Sequence, residues 1–419
     1  MRKLFAVLCL FTLSITSSAQ SADYIQMLNS YVSVRLHLDT DPKRGQMVGA
    51  AWLRIRNNGN TPLTGVPYIL NPGLQVTKTL GPNNRPLRDN SNIASVSGYE
   101  YLDATVGTIN LPTPLLPDSD MEIVIQYRGS LQNMSWSGID HAKETLSSNF
   151  TVLRADSFAY PVIAAPTKIA IAAALSQPAY YQTATVEVAD GYTVAGNLHV
   201  DEIALKGANK SYGLRYGQPS TPMVLPIANY LQLSEGPLSV SVFNGYQSAG
   251  SSLITDVTPL LTRLSNMLGE PAGNKLNITM VPDGYGTLST SGLTTLEESN
   301  FSADKFNASE ALLNLWGVGA QETAGHWRTS LDHIIRQSAA NQTLSDEAAP
   351  FFSELKSKIS TNKKLGKATL ESLTVAKQTD EAEALLRLTF AGLHDIMGKD
   401  AFYEFVRALR TDLRGNYAD

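Results

Sequence analysis

One cysteine, Cys9, stands in 419 residues. It lies inside an apolar run near the N-terminus, so the rest of the chain has no thiol. Disulfides and thiolate metal sites are excluded there. No Lys/Arg run or basic patch occurs, and the net charge is -5, which argues against a nucleic-acid partner. There is no G-x-S-x-G nucleophile elbow and no G-x-x-x-x-G-K phosphate loop. Six histidines suffice to assemble a Ser/His/Asp triad on paper almost anywhere, so none is assigned. The chain shows no internal repeat and no low-complexity segment.

What is present is ordinary: 43% hydrophobic and 17% charged residues, in a chain long enough for two or three domains with substantial cores. The N-terminus is more specific. Arg2 and Lys3 precede LFAVLCLFTLSI, and small residues Ser17 and Ala19 follow. Charged, apolar and small-residue regions in that order are expected of a secretory signal peptide over residues 1–19. Cleavage is placed after Ala19, with Ala22 as the alternative. The run is too short for a transmembrane anchor. Cys9 sits within it rather than after it, which disfavours lipid attachment. An exported chain without disulfides fits a bacterial periplasm or the extracellular space. Sequons at Asn133, Asn149, Asn277 and Asn307 are what chance gives in a chain rich in Asn, Ser and Thr.

From Asp23 to about Glu235 the pattern is that of strands. Val32, Val34, Leu36 and Leu38 alternate with period two. Asn58-Gly59 is a turn signal after QMVGAAWLRIRNNGN. VPYILNPG, LQVTKTLG, YEYLDATVGTINLP, DMEIVIQYRGSL, TKIAIAAAL, TATVEVADGYTVAG and PMVLPIANYLQLSE read as further strands, with a loop at NNRPLRDNSN. This predicts a β-saddle or sandwich over residues 23–235. Residues 236–419 read as α+β. Leu253, Val257, Leu260, Leu261, Leu264 and Leu268 recur at helical spacing before Gly269, a candidate C-cap. KLNITMVPD returns to strand. Helices are expected after Asp304, at 345–360 from Ser345, and over TDEAEALLRLTFAGLHDIMG, with Leu385, Leu386, Leu388, Leu393 and Ile396 on its apolar side. KDAFYEFVRALRTDL is the last of them.

Several phrases, in order, carry a family resemblance. They are LPTPLLPDSDMEIVIQYRGSL, FTVLRADSFAYPVI, NITMVPDGYGTLSTSGLTTLEE, SEALLNLWG and MGKDAFYEFVRAL. The layout resembles the aminopeptidase N family of gluzincin zinc peptidases over about 390 residues. It implies an N-terminal β-saddle followed by a thermolysin-like α+β domain with a helical C-terminal part. The extra C-terminal domains of the larger members are not expected from this resemblance.

The resemblance also locates missing chemistry. The family's G-A-M-E-N loop holds the substrate ammonium with its Glu. Here the aligned residues are Gly286, Thr287, Leu288, Ser289 and Thr290, with Ser289 at the carboxylate. The backbone there could still pair with an extended peptide. H-E-x-x-H places two His ligands on one helical face with Glu as general base. Here Ser309 and Leu313 occupy the His positions and only Glu310 remains. The third-ligand position falls on Asp332, or on Ser330 if aligned on Trp327. No Tyr stands near Val375–Lys377, where the family's transition-state Tyr is expected, and Tyr403 falls too late.

The leading expectation is an exported, catalytically inactive relative without cofactor, whose former cleft binds extended peptide or protein segments. One alternative is a hydrolase with a rebuilt metal site, zinc for instance, on Glu310, His326, Asp332 and His333. Another is a purely structural envelope protein. Glu310 also has a bland role, because an acid in the first turn of a helix suits the helix dipole.

Overall fold

The computed structural model describes residues 25–99, 102–136, 139–142, 145–176, 180–217, 219–271, 275–290, 292–305, 308–313, 315–316, 325–339 and 379–415. The leader segment, the helix expected at 345–360 and Val375–Lys377 lie outside them. Of the described residues, 58–60 and 325–402 form one compact unit and the rest form a second, larger one.

The larger unit is built on a seven-stranded sheet. Its order is β13 (His199–Lys206), β14 (Asn209–Arg215), β11 (Tyr181–Ala189), β1 (Ile25–His37), β2 (Gln46–Asn57), β7 (Asp120–Gly129) and β4 (Leu74–Leu80). The period-two pattern sets its faces. Val32, Val34 and Leu36 are buried as expected, and Leu38 packs half-buried just past the strand. Tyr31, Ser33 and Arg35 alternate with them. Gly49 is required by a close approach. It lies opposite Tyr127, and a Cβ on it would come within 2.5 Å of the Tyr127 ring.

The core side of this sheet packs against β3 (Leu63–Leu70), β6 (Asp103–Leu115) and β5 (Arg88–Ser95). Ile55, Ile69, Ile109, Ile123 and Ile125 meet in one apolar core. Asn71, fully buried, ties three segments together there. Its amide donates to the carbonyls of Gln132 (2.9 Å) and Ser157 (3.2 Å), and its Oδ1 accepts from the N–H groups of Gly73 and Gln132. A two-stranded ribbon, β8 (Met134–Trp136) and β9 (Ile139–Ala142), leads to a three-stranded sheet of β10 (Phe150–Arg154), β15 (Val224–Ala228) and β12 (Thr193–Val194).

Two segments differ from what their sequence pattern predicts. TKIAIAAAL is a helix, α1 (Lys168–Leu175), not a strand. Thr167 caps it by accepting from the Ala170 N–H, and its run of alanines favours helix. The Asn-rich stretch NNRPLRDNSN is only partly loop, because its second half enters β5 and pairs with β6. The hairpin β13–β14 was not anticipated. β13 is an edge strand exposed on both sides, so it shows no alternation.

A mixed five-stranded sheet completes the larger unit, in the order β16 (Tyr230–Glu235), β17 (Leu238–Phe243), β18 (Leu276–Val281), β20 (Leu293–Glu297), β19 (Leu288–Thr290). The parallel pair β17–β18 is joined by α2 (Gln247–Leu268). Leu253, Val257, Leu261, Leu264 and Leu268 are its buried stripe, with Leu260 half-buried. Gly269 ends it at φ 80°. The Trp316 indole N–H donates to the Gly269 carbonyl at 2.7 Å, which fastens the segment after α3 (Ala308–Leu313) to the end of α2.

In the smaller unit, α4 (Gly325–Ala339) packs on α5 (Thr379–Met397). Leu331, Ile334 and Ile335 are buried on the first, and Leu386, Phe390 and Ala391 on the second. Ile396 is 78% exposed, contrary to the expected apolar side. Ten residues beyond Leu386, it has rotated away from the stripe. α6 (Lys399–Gly415) follows Gly398 and begins in this unit. Among the described residues no helix is long and apolar enough to cross a membrane. The whole is a multi-domain, β-rich α+β fold.

Candidate functional site

The expected binding stretch is an edge. The chain leaves β18 at Val281, turns through Pro282–Thr287, and runs along β19 before crossing into β20. β19 ends the five-stranded sheet. Leu288, Ser289 and Thr290 lie opposite Thr295, Thr294 and Leu293. Gly286 and Thr287 are exposed leading in, Ser289 is exposed, and Leu288 and Thr290 are half-buried. The structure therefore brings these five residues into one contiguous outer strand and its approach.

Hydrogen bonding fixes which way the strand faces. The Leu288 N–H donates to Thr295 Oγ1 at 2.9 Å, toward β20. Successive residues of a strand turn their backbone groups to opposite sides. Ser289 therefore turns its N–H and C=O outward. Its hydroxyl stays on the sheet, 3.2 Å from Thr294 Oγ1.

The approach turn is held by a carboxylate that sequence reading passed over. Glu297, the last residue of β20, accepts from the N–H groups of Gly284 (2.8 Å) and Gly286 (3.0 Å) through Oε1. Both glycines have positive φ, 92° and 75°, so the tight turn needs their freedom. Thr295 Oγ1 donates to the Gly286 carbonyl at 3.2 Å. Asp283 accepts from the Ser299 N–H at 3.0 Å, and that bond holds its carboxyl below the usual range. Tyr285 packs edge-on against Phe150, with ring centroids 4.7 Å apart. Phe243 stacks on Tyr230 behind them, and the buried Tyr230 hydroxyl donates to the Met280 carbonyl at 2.8 Å. Tyr246 donates to Glu298, which pushes the phenol's pKa up. The only advance signal for the clamp was an acid at a strand end, eleven and thirteen residues after two turn glycines.

The residues expected around a metal are placed as follows. Ser309, Glu310 and Leu313 lie on α3. The side chains of Ser309 and Glu310 are outside the described residues. Leu313 is 4% exposed, and Ala311 and Leu312 are fully buried beside it. An aliphatic side chain in the core has no lone pair to offer, so this position does not fit zinc. His326, Asp332 and His333 lie on α4, and the His326 side chain is outside the described residues. Asp332 and His333 are half-buried neighbours in sequence, and adjacent helical residues do not share a face. Ser330, the other candidate for the third position, is fully buried. Among the described residues no group of three His, Cys, Asp or Glu side chains is disposed to hold a metal ion. Tyr403 is buried at 3% exposure, in keeping with packing.

No protein-family model matches the chain, and no curated protein does. Solved structures do. The M1 zinc metallopeptidase of Deinococcus radiodurans matches with TM-score 0.60 and 16% identity, over 94% of this chain and 88% of that one. A mutant of that enzyme bound to a Tyr-Ser-Ala substrate matches with TM-score 0.55 and 15% identity, over 93% of this chain and 87% of that one. Native yeast LTA4 hydrolase matches with TM-score 0.58 and 12% identity, over 95% of this chain but 63% of that one. At these identities the likeness is one of fold. The chain has the architecture of M1 zinc metallopeptidases.

Proposed function

We propose that this chain is an exported protein on an M1-peptidase frame that holds extended peptide or protein segments along β19 and does not hydrolyse them. The observation that carries the reading is Ser289. It stands where the resemblance places the ammonium-binding Glu, on an outer strand with its backbone N–H and C=O turned outward. Pairing with an incoming strand is retained without the charge anchor. Two further points support it. Leu313 is an apolar core residue at a ligand position. A neighbour of the same fold is described as bound to a Tyr-Ser-Ala substrate, which supports a short peptide as the kind of ligand proposed.

The reading is tested by fluorescence anisotropy with labelled extended peptides, offered with free and with acetylated N-termini. Without an ammonium anchor the two forms bind alike, and Ser289→Glu creates a preference for the free amine of roughly tenfold, the order of one charge-assisted hydrogen bond. Elemental analysis and an aminoacyl-arylamide assay accompany it. Stoichiometric zinc with turnover that vanishes in Glu310→Gln would sink the proposal in favour of a hydrolase.

A further inference from the structure

The side of the seven-stranded sheet that faces away from its core carries an open trough of about 660 Å³. Register lays its residues in rows that run across the strands. One row holds Tyr31 and Trp52, directly opposite one another on β1 and β2, with ring centroids 4.9 Å apart. Two residues along each strand, the next row is Thr185, Ser33, Ala50 and Gln126. Two residues further lie Glu187, Arg35, Val48 and Arg128. Thr185, Ser33 and Ala50 are small and form a floor, with Gln126 at its β7 end. The outer rows are large and stand as walls about 13 Å apart between backbone positions, four residues along a strand; the Arg35 row belongs to the lining of the trough, and the Tyr31–Trp52 row borders it.

The two walls differ in chemistry. On one, Trp52 is 40% exposed, with no partner for its indole N–H among the described residues. Tyr31 leans over the floor, its hydroxyl 2.9 Å from Thr185 Oγ1. The other wall is cationic. Arg35, Arg128 and Lys206 line the trough against one carboxylate, Glu187. Glu187 is already engaged, by Arg35 at 3.0 Å and by the Asn209 amide at 3.0 Å. No carboxylate among the described residues lies within ion-pair distance of Arg128 or Lys206, and Lys206 acts on Glu187 only as a more distant charge that helps hold its carboxyl below the usual range. A cationic trough with uncommitted donors on a chain of net charge -5 is a local reversal of sign, and it favours an anionic occupant.

The sheet also says what kind of anion. β11, β1, β2 and β7 are interior strands, flanked on both sides. Their backbone groups are committed, so a peptide cannot add to them as a strand and its own amides would lack partners. Recognition rests on side chains: hydroxyls that both donate and accept, flat aromatic faces for a weakly polar ring, and cations for scattered carboxylates. Two cations outside ion-pair distance of any described carboxylate are too few for a nucleic-acid backbone, whose charge is dense and continuous. We infer that the trough binds a linear acidic polysaccharide of the uronic-acid type, with sugar rings on Trp52 and Tyr31, hydroxyls on Ser33 and Thr185, and carboxylates on Arg128 and Lys206.

Titration of the full chain with a galacturonate hexamer, followed by tryptophan fluorescence and calorimetry, tests this. Saturable binding is expected. It should weaken with added salt and fall at least about tenfold in Trp52→Ala, from the loss of a stacking face, and at least about tenfold in the double variant Arg128→Ala/Lys206→Ala, from the loss of its charge-assisted contacts. All three positions lie on the open face, so circular dichroism should report a folded protein in each case. Cellohexaose, which shares the rings but lacks the charge, should bind more weakly. No binding of the uronate hexamer at millimolar concentration would overturn the inference. So would equal binding to both variants, or tighter binding of deca-glutamate or oligothymidylate than of the hexamer.

Discussion

Glu297→Ala isolates the device that shapes the binding edge. In the native turn one carboxylate oxygen receives two backbone N–H groups, from Gly284 and Gly286. A hydrogen bond to a charged acceptor contributes about 1.5–3 kcal/mol when buried. These two are solvent-exposed, so about 1 kcal/mol each is the appropriate scale, and about 2 kcal/mol together. Alanine leaves both glycines at positive φ with nothing holding them, and the turn gains the freedom that glycine allows. Global unfolding changes little, because the core strands β18 and β20 keep Ile278, Met280, Leu293 and Leu296 buried. The effect is local. Native-state hydrogen exchange at Gly284, Gly286 and Leu288 should quicken by roughly 30-fold, the equivalent of 2 kcal/mol, while the Met280 amide is unaffected. Glu297→Gln, which keeps an accepting oxygen without the charge, should fall between. Native-like protection at Gly284 and Gly286 in the alanine variant would refute the clamp. Loss of protection throughout β18 would show that Glu297 acts on the sheet rather than on the turn.

Two further outcomes follow from single side chains. Burial holds the His199 pKa at about 4, with Lys275 adding to the effect and Asp201 opposing it, so the folded state keeps a neutral ring that accepts from the Lys275 N–H at 3.2 Å. The unfolded chain takes up a proton below its ordinary value near 6.5. Stability from this group is therefore complete above about pH 6.5 and is lost as pH falls toward 4, by about 3 kcal/mol at most. His199→Gln should flatten the decline in Tm across that window, and an unchanged pH profile would contradict it. Leu313→Ala should lower stability by about 3 kcal/mol in urea unfolding, as for other fully packed leucines. A change below 0.5 kcal/mol, the scale of surface substitutions, would mean that the side chain faces an open cleft.

Where the sequence spoke through a period, the fold was legible. Val32, Val34 and Leu36 gave β1 its buried face, and the leucines of 253–268 gave α2 its stripe and its glycine stop. It misled where composition and capping compete. Ile169, Ile171 and the alanines of α1 resemble a short apolar strand, but only Ile171 is buried, and Thr167 starts a helix. It was silent where a strand is wet on both sides, as in β13. The candidate site divided along the same line. Gly286 to Thr290 could be placed by the order of motifs, because glycine turns and strands are local. The Glu297 clamp and the rows of the trough could not be, because each exists only once distant segments have paired.

The length of β19 sets a bound on how the proposed edge can bind. Three residues form the strand, and only Ser289 among them turns its backbone outward. An incoming strand gains two main-chain hydrogen bonds there, about 0.5–1.5 kcal/mol each. That is small beside the estimated 4–15 kcal/mol of lost translational and rotational freedom on association. A short, partly polar edge is also what keeps a sheet from pairing indiscriminately. Affinity must therefore come from side chains on either side of the contact. Thr287 and Tyr285 are the nearest on the approach, with the Tyr285 ring already anchored on Phe150. A length series of peptides then separates the two contributions. Tripeptides should bind no tighter than millimolar, and affinity should rise with each pair of added residues until the chain passes Tyr285. A tripeptide that binds at micromolar concentration would require an anchor in the cleft that neither Ser289 nor Glu297 supplies, and edge pairing would no longer be the explanation.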